Sequence, residues 1–140
     1  MTGALAPKPG ETPMLGYVTI GSNDLEKSYA FYDAVFEPLG GKRLMVGDRS
    51  IIYGVKRPQI MVCRPYDEGR ATSGNGAMTA LAARSRAQVD AVHARALEMG
   101  ATCDGPPGVR GDEPDGFYGA YFRDPDGNKL CVYRFGPVDA

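Results

Sequence analysis

The sequence is short of the residues that most often carry chemistry. It holds one histidine, His93, in 140 residues, and three cysteines, Cys63, Cys103 and Cys131, with no C-x-x-C pair. An odd number of widely spaced cysteines argues against a disulfide frame and a zinc site, and predicts free thiols in a reducing cytoplasm. No run of 18 apolar residues occurs, so no membrane-spanning helix is expected. An excess of one charge is missing too: 16 basic residues against 17 acidic give a net charge of −1. That balance excludes the electrostatic footprint of a nucleic-acid or anionic-membrane binder. Neither G-x-x-x-x-G-K-[ST] nor G-x-G-x-x-G occurs, so phosphate cradles of those kinds are excluded. Asp124-x-Asp126-Gly127 begins like a calcium loop, but the twelfth position is Phe135 instead of Glu.

What is present is the composition of a soluble globule, 43% apolar and 24% charged. A chain this long forms one domain and can bury enough surface to keep a cavity of its own. Residues 1–13 are rich in Pro and Gly with no apolar block, which predicts a flexible lead and not a secretory leader. Nineteen glycines and 11 prolines fall between short apolar runs, the pattern of many tight turns.

Two helices are predicted. Leu25, Tyr29, Tyr32, Val35, Phe36 and Leu39 recur at helical spacing behind Asn23, with Glu26 completing a capping box; Pro38 and Gly40-Gly41 stop the run. The second opens at Ser85 with Gln88, carries Val89, Val92, Ala96 and Leu97, and stops at Gly100. Each follows a short strand: Tyr17-Val18-Thr19-Ile20 before the first, and Met78-Thr79-Ala80-Leu81, 61 residues later, before the second. Each is followed by a hairpin, through Lys56-Arg57-Pro58-Gln59 and through Asp124-Pro125-Asp126-Gly127. In the second, Pro125 and Gly127 stand where a tight turn needs a fixed and then a positive φ. The chain therefore reads as an α+β fold of two paired βαβββ modules, near 14–66 and 75–135, joined by the polar stretch 66–74 and followed by a tail, 136–140. Each module is expected to be a curved mixed sheet with a helix on its outer side, the concave faces forming a cavity.

Strand parity assigns the faces. A three-residue loop at Pro125-Asp126-Gly127 pairs Phe122 with Leu130 and Ala120 with Val132, apolar pairs that belong against the helices. Tyr121 then pairs with Cys131, and the opposite face holds Phe117, Gly119, Tyr121, Cys131 and Tyr133. In the first module that face holds Ile52, Gly54, Met61 and Cys63. On the leading strands Val18, Ile20 and Leu81 face the helices, leaving Tyr17, Thr19, Met78 and Ala80 on the cavity side.

Taken together, Tyr17-Val18-Thr19-Ile20, the helix start Asp24-Leu25-Glu26-Lys27-Ser28-Tyr29-Ala30-Phe31-Tyr32 and the hairpin Phe122-Arg123-Asp124-Pro125-Asp126-Gly127-Asn128 resemble the vicinal oxygen chelate superfamily. This superfamily includes glyoxalase I, extradiol dioxygenases and bleomycin-resistance proteins. The similarity spans about 14–135. It implies paired βαβββ modules and, in the enzymatic members, a metal held by His or Glu from the first and last strands of each module. Here those positions hold Tyr17, Met61, Met78 and Cys131. Hard divalent cations take carboxylate oxygen or imidazole nitrogen, so no metal and no other cofactor is expected.

The remaining candidates are weighed against plainer roles. Aromatic residues in strands are commonly core, but Tyr17, Tyr121 and Tyr133 on the face away from the helices favour lining a pocket. Met61, Met78 and Cys131 could make a soft-metal site, yet adaptable apolar filling explains them more simply. Cys131 has no base nearby in sequence, and an inert thiol is expected. His93, beside Val92 and Ala96, reads as a partly exposed helix residue outside the cavity. Arg110 sits in a segment, 105–116, too rich in Gly and Pro to be read as helix or strand; bordering the cavity, it could hold an anionic group. The predicted activity is binding of a small apolar or aromatic molecule in the cavity, without a metal, by a cytoplasmic homodimer. A lyase or isomerase with relocated catalytic groups, and a non-catalytic dimeric interaction domain, stand as alternatives.

Overall fold

The computed structural model describes residues 8–137; the first seven residues of the expected lead and residues 138–140 of the expected tail lie outside them. Helix α1 spans Leu25–Phe36 and continues as a 3₁₀ turn, Glu37–Leu39, which ends at Gly40 with φ +80. Its cap is Asp24, one residue later than expected, whose side chain accepts from the Lys27 amide. Both residue types cap well; the choice is made at long range. Asn23 is engaged with Ala71, accepting from its amide at 2.7 Å and donating to its carbonyl at 3.1 Å. Helix α2, Arg86–Glu98, starts at Ser85 as predicted, with Ser85 accepting from the Gln88 amide. Gln88 in turn accepts from the Arg84 amide at 2.7 Å.

The duplication is visible in the strands. In one sheet β1 (Val18–Gly21), β2 (Lys42–Val46), β3 (Ser50–Gly54) and β4 (Ile60–Cys63) lie in the order β1-β4-β3-β2. In the other β5 (Thr79–Ala82), β6 (Thr102–Arg110), β7 (Phe117–Arg123) and β8 (Lys129–Phe135) lie in the order β5-β8-β7-β6. The leading strand of each is parallel to the last, with Thr19 opposite Met61 and Ala80 opposite Cys131. Tyr17 and Met78 thus occupy equivalent places. The hairpin register is as parity predicts: Phe122 faces Leu130, Ala120 faces Val132 and Tyr121 faces Cys131.

Two readings are corrected. Residues 105–110 belong to a strand, β6, not a loop. An edge strand pairs on one side only, so Pro106 and Pro107 remove no ladder bond that a central strand would need. Two register shifts, between Cys103 and Gly105 and between Gly105 and Gly108, take up the misfit. His93 is not partly exposed but buried, at 6% relative exposure, edge-on to the Phe122 ring. It faces sheet 2 from the inner side of α2.

The core is shared by both modules. Ile20, Phe31, Tyr32, Val35, Ile51, Tyr53 and Val62 from the first join Leu81, Val89, Val92, Ala120, Phe122, Leu130 and Val132 from the second. The strand residues among them are the helix-facing residues of both sheets, and the rest come from the two helices. The faces carrying Met61 and Cys131 therefore point away from this core. Among the described residues no helix is long and apolar enough to cross a membrane.

Candidate functional site

The seven residues singled out in the sequence fall into two groups on separate sheets. Five stand on the second sheet: Tyr121 opposite Cys131, Tyr133 two residues along β8, Arg110 at the end of β6, and Met78 just before β5. Two stand on the first: Tyr17 just before β1, and Met61 on β4. Tyr17 and Met78 are 49% and 48% exposed, so the leading edge of each face is open.

The face of the second sheet away from the helices is aromatic at one end, and its small residues Gly119 and Cys131 are buried. Its middle is built of small residues, with Ala80 opposite Cys131, and Gly108 opposite Gly119. A Cβ at Gly119 would lie 2.5 Å from the Phe117 ring, and one at Gly108 2.9 Å from the Arg110 guanidinium, the end of a flexible side chain. Phe117 and Tyr133 stack at 5.4 Å with 9° between their planes. Tyr121 lies between two cations, the Arg110 guanidinium at 5.5 Å and the Lys129 ammonium at 5.4 Å from its centroid. Burial, ahead of the neighbouring Cys131, raises the Tyr121 phenol above its ordinary value. Burial likewise pushes the Cys131 thiol up, against a weaker lowering by its hydrogen bond with Tyr121. A raised thiol disfavours the thiolate that a nucleophile needs.

The donor set at the family's metal positions is a phenol, two thioethers and a thiol. Thioethers do not hold hard divalent ions against water, and a raised thiol pKa opposes the thiolate a metal would need. Among the described residues no three His, Cys, Asp or Glu side chains come together. The residues present do not fit a catalytic divalent metal.

Sequence reading missed what joins the modules. Asp124, 4% exposed, accepts from the Tyr32 hydroxyl and from the Asn128 side chain, and also from the amides of Asp126 and Asn128. Asp126 accepts from the Asn23 amide at 3.1 Å and the Ser28 hydroxyl at 3.2 Å, while Asn128 donates to the Gly21 carbonyl at 3.0 Å. The hairpin Asp124-Pro125-Asp126-Gly127-Asn128 is thus a polar clamp holding the second module to the start of α1. The only hint in sequence was three side chains with acceptors in a turn that needed none of them. At the equivalent joint the first module offers Lys56-Arg57-Pro58-Gln59, which has no carboxylate, and its one side-chain acceptor, Gln59, takes the Val55 amide at 3.1 Å. A cavity of about 540 Å³ lies there, lined by Val18, Phe36, Leu39, Tyr53, Ile60 and Leu81 among others. Met78 is the only one of the seven candidates that lines it.

The fold coincides with one known architecture. The glyoxalase/bleomycin resistance protein/dioxygenase superfamily model matches residues 14–132. The chain belongs to this superfamily. It is 39% identical to a glyoxalase/bleomycin resistance protein from Albidiferax ferrireducens T118, over 87% of this chain and 98% of that one, with a TM-score of 0.78. A superfamily enzyme from Burkholderia phytofirmans PsJN shares the fold at 20% identity and a TM-score of 0.67, over 86% and 97% of the two chains. So does a lactoylglutathione lyase from Agrobacterium tumefaciens, at 22% identity and a TM-score of 0.60, over 88% and 94%. No curated protein matches the chain.

Proposed function

We propose that this superfamily member binds a small, largely apolar or aromatic molecule on the sheet faces that turn away from the helices, without a divalent metal. The observation that carries the reading is the substitution of chemistry at one place. Where metal donors would stand there are Tyr17, Met61, Met78 and Cys131, and beside them the aromatic residues Phe117, Tyr121 and Tyr133. Such a surface gains from burying apolar area and from ring stacking, and has polar groups only at its rim.

A homodimer would fit the same reading. Tyr17 and Met78 are half exposed, and Leu15, Val46 and Phe135 are more so. A second copy covering these faces would turn an open face into an enclosed one. The three free cysteines, among them the exposed Cys103, favour a reducing compartment such as the cytoplasm.

Calorimetric titration of chelator-treated protein with 2-naphthol tests the reading. Saturable binding is expected, weakened several-fold by Tyr121→Ala. Binding that appears only after Zn²⁺, Ni²⁺, Mn²⁺ or Fe²⁺ is restored would contradict it.

A further inference from the structure

We infer that the free edge of β5, with the cavity beside it, takes up an extended, uncharged peptide segment of a partner protein as a fifth strand of the second sheet. This site is separate from the sheet faces and independent of the binding proposed for them. Three observations carry it.

The first is that β5 turns unpaired backbone outward. In a parallel pair alternate residues direct their amide and carbonyl to the neighbouring strand. Ala83 donates to the Tyr133 carbonyl at 2.8 Å, so Leu81 and Ala83 turn to β8. Ala80 and Ala82 present their amides and carbonyls on the other side. Both residues are exposed, and among the described residues nothing pairs with them there. These donors and acceptors recur about 6.6 Å apart, the two-residue spacing of an extended chain.

The second is that this edge lacks the protection the other three have. Edges are commonly blunted by charge, proline, bulges or covering segments. Strand β2 carries Lys42 and Arg43 with a register shift after Arg43, and β6 carries Pro106 and Pro107 with two shifts. On β1 the Gly21 carbonyl accepts from the Asn128 side chain, and buried Ala71 packs against Gly21. Strand β5, Thr79-Ala80-Leu81-Ala82, has no charge, no proline and no register shift. Its outward-turned residues are both alanine, small enough for another backbone to approach.

The third is the cavity of about 540 Å³, which β5 lines along its whole length. Phe36, Leu39 and Ile60 add apolar wall. The one charged residue in the lining, Arg57, is occupied: it donates to the Glu11 carbonyl at 3.0 Å and lies 3.6 Å from the Glu11 carboxylate. The Tyr53 hydroxyl is spent on Asp33 at 2.9 Å. Hydrogen-bonding demand therefore comes from the strand edge and the rest is apolar, which suits an added strand whose side chain enters a pocket.

Calorimetric titration of the full chain with the capped peptide acetyl-Ser-Val-Leu-Val-Ser-amide tests this. Saturable binding is expected. The amides of an added strand face its neighbour alternately, so N-methylation of one alternate set, the central Leu or the two Val, should weaken binding about ten-fold, the scale of a lost hydrogen bond. Methylation of the other set should leave it unchanged. Ala80→Pro removes an outward amide but no bond to β8, and should weaken binding similarly with an unchanged circular dichroism spectrum. Equal effects of the two methylation patterns would overturn the inference, because apolar filling of the cavity needs no alternation. Absence of binding would overturn it too. The edge then belongs to a second copy if Ala80→Pro halves the mass in solution, and to the start of this chain if removing residues 1–7 restores binding.

Discussion

Tyr32 shows how one side chain ties packing to polar chemistry. Its ring lies in the aromatic cluster of Phe31, Phe36 and Tyr53, and its hydroxyl donates to Asp124 at 2.5 Å across the module joint. Burial and the Asp124 carboxylate push the phenol well above its ordinary value, so it serves as a permanent donor. Tyr32→Phe keeps the ring but strips a buried carboxylate of one partner, and should cost about 1.5–3 kcal/mol in urea unfolding. A loss below about 0.5 kcal/mol would mean that the clamp does not hold the modules together. His93, at the equivalent place on α2, makes a pH prediction. Burial holds its imidazole below the ordinary 6.5, and Nε2 has no partner. The fold favours the neutral ring, so this contribution is complete above pH 6.5 and is lost as pH falls through that value toward the folded one. Wild type should have a lower urea midpoint at pH 5.5 than at pH 7.5, and His93→Gln should flatten the difference. Asp33 does not confuse that window. Its carboxyl is lowered by the Arg43 hydrogen bond, so its contribution fades only as pH falls below 3.8, and both side chains are largely solvated.

At the scale of elements, the hairpins show what local signals can and cannot settle. The turn between β7 and β8 was legible because Pro125 and Gly127 (φ +89) dictate its backbone, and the register then follows by parity. Strand β6 was not legible, because Gly and Pro argue against strands in general while an edge tolerates them. The cap of α1 was misplaced by one residue because Ala71, 48 positions away, claims Asn23. The burial of His93 was hidden for a similar reason: helical spacing gives its angle on α2, but not that Phe122 stands beneath it. Where the outcome depends on which distant backbone arrives, composition is silent. The turn between β3 and β4 offers a sharp check. A Cβ at Gly54 would lie 2.0 Å from the Arg57 carbonyl oxygen, a backbone atom that cannot step aside. Gly54→Ala should therefore destabilise by about 1–3 kcal/mol; a neutral effect in chemical denaturation would show that the turn is more compliant than drawn.

At the scale of the molecule, the two modules share one core through their helix sides and turn their other faces outward. The sequence echo 61 residues apart made this pairing legible, and parity placed Tyr121, Cys131 and Tyr133 on a common face. The asymmetry of the two joints was not legible. One is filled by the clamp of Asp124, Asp126 and Asn128; the other keeps a cavity of about 540 Å³. Half-exposed Tyr17 and Met78 further predict that the chain does not stay single. Sedimentation at micromolar concentration should give twice the 15.0 kDa chain mass; a mass of one chain would remove the second copy from the site.

Native mass spectrometry of chelator-treated protein with 2-naphthol tests the central claim most directly, because it weighs ligand and metal in one spectrum. The expected species is a dimer carrying one naphthol per chain and no divalent ion. A complex that forms only with one Zn, Ni, Mn or Fe per chain would contradict the account and restore a metal to the positions of Tyr17, Met61, Met78 and Cys131.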